Sequence, residues 1–517
     1  MSQNVKNIAV VSLSTVGSRL LGLVRDALIF AALGASVWSS AFILAFTLPN
    51  LFRRLFGEGA LSSALVPVFS DVLQREGRAS ALGFFNHVFL RLCGGLVLVV
   101  CLGMLLLSFA AKGGAVPERW ALGAQLSVWM LPYMLLICLA AIVSVVLNVF
   151  GRFAIAASTP VILNLSMIAA LGWGMSHTAA PSELVLWLCA GVLCGGVLQL
   201  ALPSFDLVRQ GWRLQVSPGA GHQALHELWR LFLPGLIGAA ILQVNILVSR
   251  LLAYTLNDTA ASVLYLASRL MELPLGVFTI AVATVFFPLM AKSLTAGNSQ
   301  GFVESFESGL RLIVAIAVPA GVGLVVLAEP ILSALFEWGA FDLTAVLQTV
   351  PLVAIYGFGL PFYSVATFAT RGLHAGKDMV APVQVAAICL IVNAVLGVVL
   401  MQFWAERGLA LANVLAAAIQ AFLLWRALAA QYPTLKAARL CPALLRVLLA
   451  AGVMGLVCAL GLSLLGTFAF ADKSQAWIVV TCLVPMGVAV YFSLLYWFKF
   501  EELDALRNLL PGASMRR

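Results

Sequence analysis

The sequence predicts an all-α polytopic membrane protein, and three observations carry that reading. Of its 517 residues, 62% are hydrophobic and only 10% are charged, whereas about a quarter of an ordinary soluble chain is charged. Mean hydropathy is +1.05, an excess that no soluble core could absorb. The apolar residues also fall into runs of about 20, the length at which a helix crosses a bilayer.

Fourteen such runs lie between charged or Gly/Pro-rich breaks. The first, 8–33, is too long and too charged for a cleaved leader and is kept as a span. The second, 37–58, contains Pro49 and ends in Gly57-Glu58-Gly59. Next come 82–110, 123–149, 159–176 and 183–207, and a connection holding Arg209, Arg213, His222, His226 and Glu227 follows them. His222 and His226 have a spacing that can bind zinc, but no HExxH or further cluster accompanies them, so a solvated connector is the preferred reading. The remaining spans are 229–254, 261–290, 309–328, 343–369, 379–402, 408–430, 441–466 and 475–498.

Orientation follows from Lys and Arg in alternate connections. One side collects sixteen, among them Lys6, Arg75, Arg152, Arg213, Lys292, Arg371, Lys436 and Lys499, against Lys112, Arg119, Arg407 and Lys473 on the other. Both termini are therefore expected in the cytoplasm. The net charge of +9 is explained by those loops and implies no nucleic acid. Nine cysteines without a CxxC pair read as small membrane-buried side chains.

Segments recur at an offset of about 220 residues, an internal repeat of the kind transporters show. Ser18-Arg19-Leu20-Leu21, Ala35-Ser36 and Pro49 are echoed by Ser249-Arg250-Leu251-Leu252, Ala261-Ser262 and Pro274, and Pro132 with Arg152 by Pro351 with Arg371. Six spans separate the copies, so the repeat is parallel. The expected organisation is an N-lobe at 1–210 (spans one to six), a C-lobe at 211–435 (spans seven to twelve), and 436–517 with the last two spans and a cytoplasmic tail. Two lobes flanking a central cavity is a transporter architecture.

An ionisable residue within a span is costly unless it faces a cavity or a partner. The first span carries Arg19, Arg25 and Asp26, the second Arg53, Arg54 and Glu58, and the eighth Arg269 and Glu272. Internal pairing is expected between Arg25 and Asp26, Arg54 and Glu58, and Arg269 and Glu272. Five arginines against three carboxylates leave a cationic surplus. The planar fork of arginine suits adjacent phosphate oxygens, so these eight residues are the candidate substrate site, with a phosphate-bearing anion as ligand. Alanine at Arg25, Arg53 or Arg269 is expected to abolish function while leaving insertion intact. No GxxxxGK[ST] loop, GxSxG elbow, HExxH or Asp-rich magnesium cluster occurs, so ATP hydrolysis on this chain and enzymatic chemistry are not expected, and no cofactor or metal is assigned.

The stretches RLLGLVRD (Arg19 to Asp26), LPNLFRRLFGEGALSSALVP (Leu48 to Pro67), LNVFGRF (Leu147 to Phe153) with PVILN (Pro160 to Asn164), and SRLMELP (Ser268 to Pro274) closely resemble signatures of the MurJ (MviN) lipid II flippases of the MOP exporter superfamily. The resemblance implies a fourteen-helix exporter of the bacterial inner membrane. It would turn undecaprenyl-diphosphate-linked lipid II from the cytoplasmic to the periplasmic leaflet by alternating access, for peptidoglycan and cell-shape maintenance. Its partners would be lipid II, membrane lipids, and cell-wall synthesis and division proteins. The family's cavity arginines fall on Arg19, Arg25, Arg53 and Arg269, and its last two helices line a groove for the polyprenyl tail. Two departures stand out. Ser40 occupies a position where many members carry Asp, and Ser249 and Gly397 stand where sodium-binding members place carboxylates. The departures argue against sodium and leave membrane potential or another ion gradient as the drive. The alternatives are another exporter of lipid-linked oligosaccharide in that superfamily, or a membrane enzyme acting on polyprenyl phosphates.

Overall fold

The computed structural model describes residues 3–112, 117–215, 222–467 and 474–502, without the side chains of 3–13, 57, 58, 222, 223, 237, 466, 467 and 474. All regular structure among the described residues is helical, and eleven helices are long and apolar enough to cross a membrane. The chain divides into two compact units, one of residues 1–262 with 338–341, the other of 263–337 with 342–517.

In the first unit, α1 (Gln3–Leu33) stops at Gly34, whose φ of +65° ends the helix. Ser36 then opens α2 (Val37–Arg53) with a reciprocal cap, accepting from the Ser39 N–H while the Ser39 hydroxyl accepts from the Ser36 N–H. Pro49 removes one amide donor from the interior of α2, and Arg54–Glu58 relaxes into a π-helical turn. The chain continues as α3 (Ala60–Glu76), which apolarity alone does not mark as a span. Its buried residues Leu61, Ala64, Leu65, Val68, Phe69 and Val72 form one stripe, so it is an amphipathic helix that buries only one face. Next come α4 (Arg78–Lys112), α5 (Glu118–Val149), α6 (Phe153–His177) and α7 (Pro181–Arg209). Gly191 and Gly195 let α7 lie close on Ser166, Met167 and Leu163 of α6, and Gly196 does the same against Tyr133 of α5, which is how membrane helices gain van der Waals contact where no hydrophobic force separates protein from lipid. Finally, α8 (His222–Leu256) packs along α3, with Phe232 against Phe56. One core joins Phe69, Phe85, Phe89, Val146, Leu207 and Trp212.

Residues 338–341 complete this unit. The Ala340 N–H donates to the Ala31 carbonyl at 2.8 Å, and Phe341 meets Phe30 edge-on with ring centroids 5.3 Å apart. Gly34 and Gly339 make the approach possible, because a side chain on either would drive into the opposing backbone at Ala340 or Ala31.

The second unit holds the rest of α9 (Ala260–Pro274), a π-helical turn at Leu275–Thr279, and α10 (Ile280–Thr295). The order of helix, π turn and helix repeats that of α2, Arg54–Glu58 and α3, with Pro49 and Pro274 on the N-terminal side of the two turns. Next come α11 (Ser299–Val326), the short α12 (Ala328–Phe336), α13 (Leu343–Ala375), α14 (Val380–Gln431), α15 (Cys441–Thr467) and α16 (Ser474–Trp497). The 52 residues of α14 are not one rod. Trp404 and Ala405 leave helical geometry, Ala405 at φ +48°, and the two arms coincide with the separate runs 379–402 and 408–430. Asp378 caps the first arm by accepting from the Val380 and Ala381 amides, and the end of the second arm returns to it, Gln431 Nε2 donating at 2.6 Å. The Ala381 amide above all, helped by Gln431 and Val380, holds the Asp378 carboxyl below its usual range despite partial burial.

Outward-facing Leu98, Leu102, Leu105 and Phe109 on α4, and Leu445, Leu449, Leu456 and Leu460 on α15, are more than half exposed. Such apolar surface suits a hydrocarbon solvent.

Candidate functional site

The sequence places Ser18, Gly22 and Arg25 at i, i+4 and i+7 of α1, on one helical face, and that face meets α6. Asn164 of α6 donates from Nδ2 to the Ser18 carbonyl at 3.0 Å and accepts Arg25 Nη1 on Oδ1 at 2.9 Å. Adjacent helical residues diverge by about 100°, yet Arg25 curls back to Asp26. Its Nε and Nη2 both donate to Asp26 Oδ1, at 3.0 and 2.7 Å. Arg25 is 6% exposed, Asp26 4% and Asn164 4%. A charge pair this deep persists only when hydrogen bonds satisfy both partners, and within the trio three Arg25 donors and one Asp26 oxygen are engaged.

A second buried chain of polar groups adjoins it. The Tyr133 hydroxyl of α5 donates to Gln199 Oε1 of α7 at 3.2 Å, and Gln199 Nε2 donates to the Thr159 carbonyl of α6 at 2.7 Å. Tyr133 also stacks on Phe46 of α2, ring centroids 5.9 Å apart, and Arg53 ends that same helix. Arg19 is half-buried and Arg54 is exposed. The Glu58 side chain, and with it the expected Arg54 pairing, lies outside the described residues, as does the side chain of His222.

In the second unit Arg269 Nη1 donates to Glu272 Oε2 at 2.8 Å, and 37% and 45% of the two side chains remain exposed. The guanidinium stands 5.6 Å from the centre of the Tyr265 ring. Two of the three expected pairings, Arg25 with Asp26 and Arg269 with Glu272, are therefore present.

Charge-based reading passed over Asn164, Tyr133 and Gln199, which carry no formal charge, and Asp206. Asp206 is buried at the end of α7 and receives Arg152 in a two-pronged ion pair, Nη2 to Oδ1 at 2.7 Å and Nε to Oδ2 at 3.2 Å. Among the described residues, no three His, Cys, Asp or Glu side chains gather as a metal site would require.

At the other end of the first unit, Ser40 is fully buried. Its hydroxyl donates to the Asp258 carbonyl at 2.7 Å and accepts from the Ser262 amide at 3.3 Å, an amide shared with the Thr259 carbonyl at 3.0 Å, so it adds a second acceptor to the first turn of α9. Beside it the Tyr254 hydroxyl donates to the Arg119 carbonyl at 2.5 Å, and Arg119 Nη2 donates to the Thr255 carbonyl at 3.2 Å. These bonds close the ends of α2 and α5 onto α8 and the start of α9.

The family model described as lipid II flippase MurJ matches residues 29–481. The chain is 31% identical over 510 residues to the probable lipid II flippase MurJ of Vibrio cholerae serotype O1, covering 95% of each chain. It is 31% identical over 519 residues to the corresponding protein of Rhizobium meliloti, covering 99% of this chain and 97% of that one. Among solved structures it is similar to a lipid II flippase MurJ in an inward closed conformation, with a TM-score of 0.78 and 26% identity over 96% of this chain and 99% of the other. An inward-facing MATE family transporter of the MOP superfamily shares the fold at a TM-score of 0.68 and 12% identity, over 81% of this chain and 95% of the other.

Proposed function

The chain belongs to the MurJ family of lipid II flippases, transporters and not enzymes, and on that premise we propose how its residues carry lipid II from the cytoplasmic to the periplasmic leaflet. The observation that carries the reading is the buried polar cluster of Arg25, Asp26 and Asn164. A cation-rich site in an apolar surround favours an anionic headgroup, and guanidinium forks match a diphosphate. Arg19, Arg25, Arg53, Arg54 and Arg269 bind the headgroup in this account, while Asp26, Glu58 and Glu272 hold arginines in place between cycles.

The spans number fourteen when α14 is taken as two arms and α1 and α2 are added to the eleven apolar helices. The lobes are 1–210 and 211–435, with 436–517 as an appended hairpin and tail. The repeated helix, π turn and helix supports that parallel relation. Lys and Arg asymmetry supports cytoplasmic termini in a bacterial inner membrane. Cell-wall synthesis and division proteins are the expected neighbours.

Alternating access needs an outer seal that opens, and the Ser40 contacts with Asp258 and Ser262 supply one. An inside-negative potential drives negative charge outward, at about 2.3 kcal/mol per charge per 100 mV, so an anionic headgroup needs no sodium. Purified protein in liposomes should move fluorescent lipid II between leaflets, and should continue when sodium is replaced by potassium or choline. Absence of movement would overturn the transport reading, whereas a strict sodium requirement would overturn only the drive. Cysteines at Ser40 and Ser262, in a background stripped of native cysteines, should crosslink and stop flipping until reduced; flipping at full rate while crosslinked would remove the seal.

A further inference from the structure

The Arg25 guanidinium is gripped at two places by groups of different charge. Asp26 takes the Nε and Nη2 edge through one oxygen, a contact about which the plane could still swing. Asn164 takes Nη1 at the opposite corner. The Asn164 amide has only one orientation that satisfies both of its neighbours, because the Ser18 carbonyl can only accept and the guanidinium can only donate. A methyl group on Gly22 would stand 3.7 Å from Asn164 Nδ2, so the amide lies directly against the backbone of α1.

From this we propose that Asn164 is a positioning residue, which fixes the plane of the Arg25 fork for an anionic phosphate without cancelling its charge. The inference rests on the reading of Arg25 as a headgroup-binding residue. The neutrality of the amide is the essential property. Arg25 and Asp26 together carry no net charge, and a neutral amide adds none. A carboxylate at position 164 would hold the guanidinium at least as firmly, yet would add a negative charge that repels phosphate and competes with it for the same donors.

Asparagine and aspartate have nearly the same shape, so Asn164→Asp separates packing from positioning. With full-length protein in nanodiscs and lipid II as probe, N164D keeps the acceptor toward Arg25 but loses the donor to the Ser18 carbonyl, so it should unfold somewhat below the wild-type temperature, still as a folded protein, while binding lipid II roughly tenfold or more weakly. Unchanged binding by a folded N164D would overturn the proposal and leave Asn164 a packing residue. If N164D does not accumulate, a double-mutant cycle decides. N164A should weaken binding by about tenfold in the wild-type background but by less than about twofold in R25M/D26N, where the ion pair is absent. Equal losses in both backgrounds would show that Asn164 acts independently of Arg25 and would overturn the proposal. Wild-type affinity in R25M/D26N would instead sink the assignment of Arg25 to the headgroup, an outcome distinct from the other two.

Discussion

In the first unit Arg25 is 6% exposed and divides its donors between a carboxylate and an amide, whereas in the second unit Arg269 leaves 37% of its side chain open and bonds to Glu272. The residue types match, but the energetics differ. Breaking a buried pair strands a charge in low dielectric, at about 3–5 kcal/mol, while a half-exposed pair is worth roughly 0–1 kcal/mol. Arg25 is thus part of the framework as well as the ligand proposed above. Under the proposed function, Arg269 would exchange Glu272 for an incoming phosphate at small cost. For Arg25 this changes the expectation that alanine leaves the protein intact, because R25A would strand the Asp26 carboxylate.

The largest expected effect tests that contrast directly. Asp26→Ala should cost about 3–5 kcal/mol of stability, seen as a large fall in unfolding temperature and membrane abundance, and Glu272→Ala under about 1 kcal/mol. Equal destabilisation would break the comparison. Next, Arg269→Ala should leave unfolding near wild type but slow flipping in liposomes by roughly tenfold to a hundredfold, and Lys should restore only part, since it keeps the charge and loses the fork. A large loss of stability in R269A would mean that the second site is as built-in as the first.

A milder version of the contrast appears where hairpins close. Arg152 and Asp206 tie the start of α6 to the end of α7 by an ion pair, and Asp378 and Gln431 tie the two ends of α14 by a single hydrogen bond. Asp378→Ala should cost about 1 kcal/mol, the usual worth of an N-cap. Because the folded carboxyl lies below its usual range, the contribution of Asp378 is complete above a pH of about 4 and is lost as pH falls through the folded value. Protection of the α14 ends in hydrogen exchange should therefore weaken in acid for wild type and be weak at every pH for D378A.

The spans were legible because a bilayer demands long apolar runs, and several run boundaries fall at helix ends, down to the break at Trp404 and Ala405, while the runs starting at 229 and 309 begin well inside α8 and α11, whose first turns are polar. Helix α3 was not legible by that rule because it buries one stripe, and α12 because it has only nine residues. The charged members of the site were legible from their cost in lipid. Asn164 was not, since an amide costs less and its meaning lies in a contact with a residue 139 positions away. Asp206 escaped for a similar reason: at the end of a span it reads as a boundary until Arg152 is seen upon it.

The docking of residues 338–341 onto α1 bears on how the protein is made. Phe30 has no exposed surface and Phe341 only 1%, and Ala31 finds a donor in Ala340, some three hundred residues downstream. At about 5–20 residues per second, a ribosome reaches that segment roughly 15–60 s after it has finished α1. Throughout that interval Phe30 lacks its edge-on contact with Phe341 and the Ala31 carbonyl lacks the Ala340 donor. A chain arrested before residue 338 should therefore show weaker hydrogen-exchange protection at the end of α1 than the full chain.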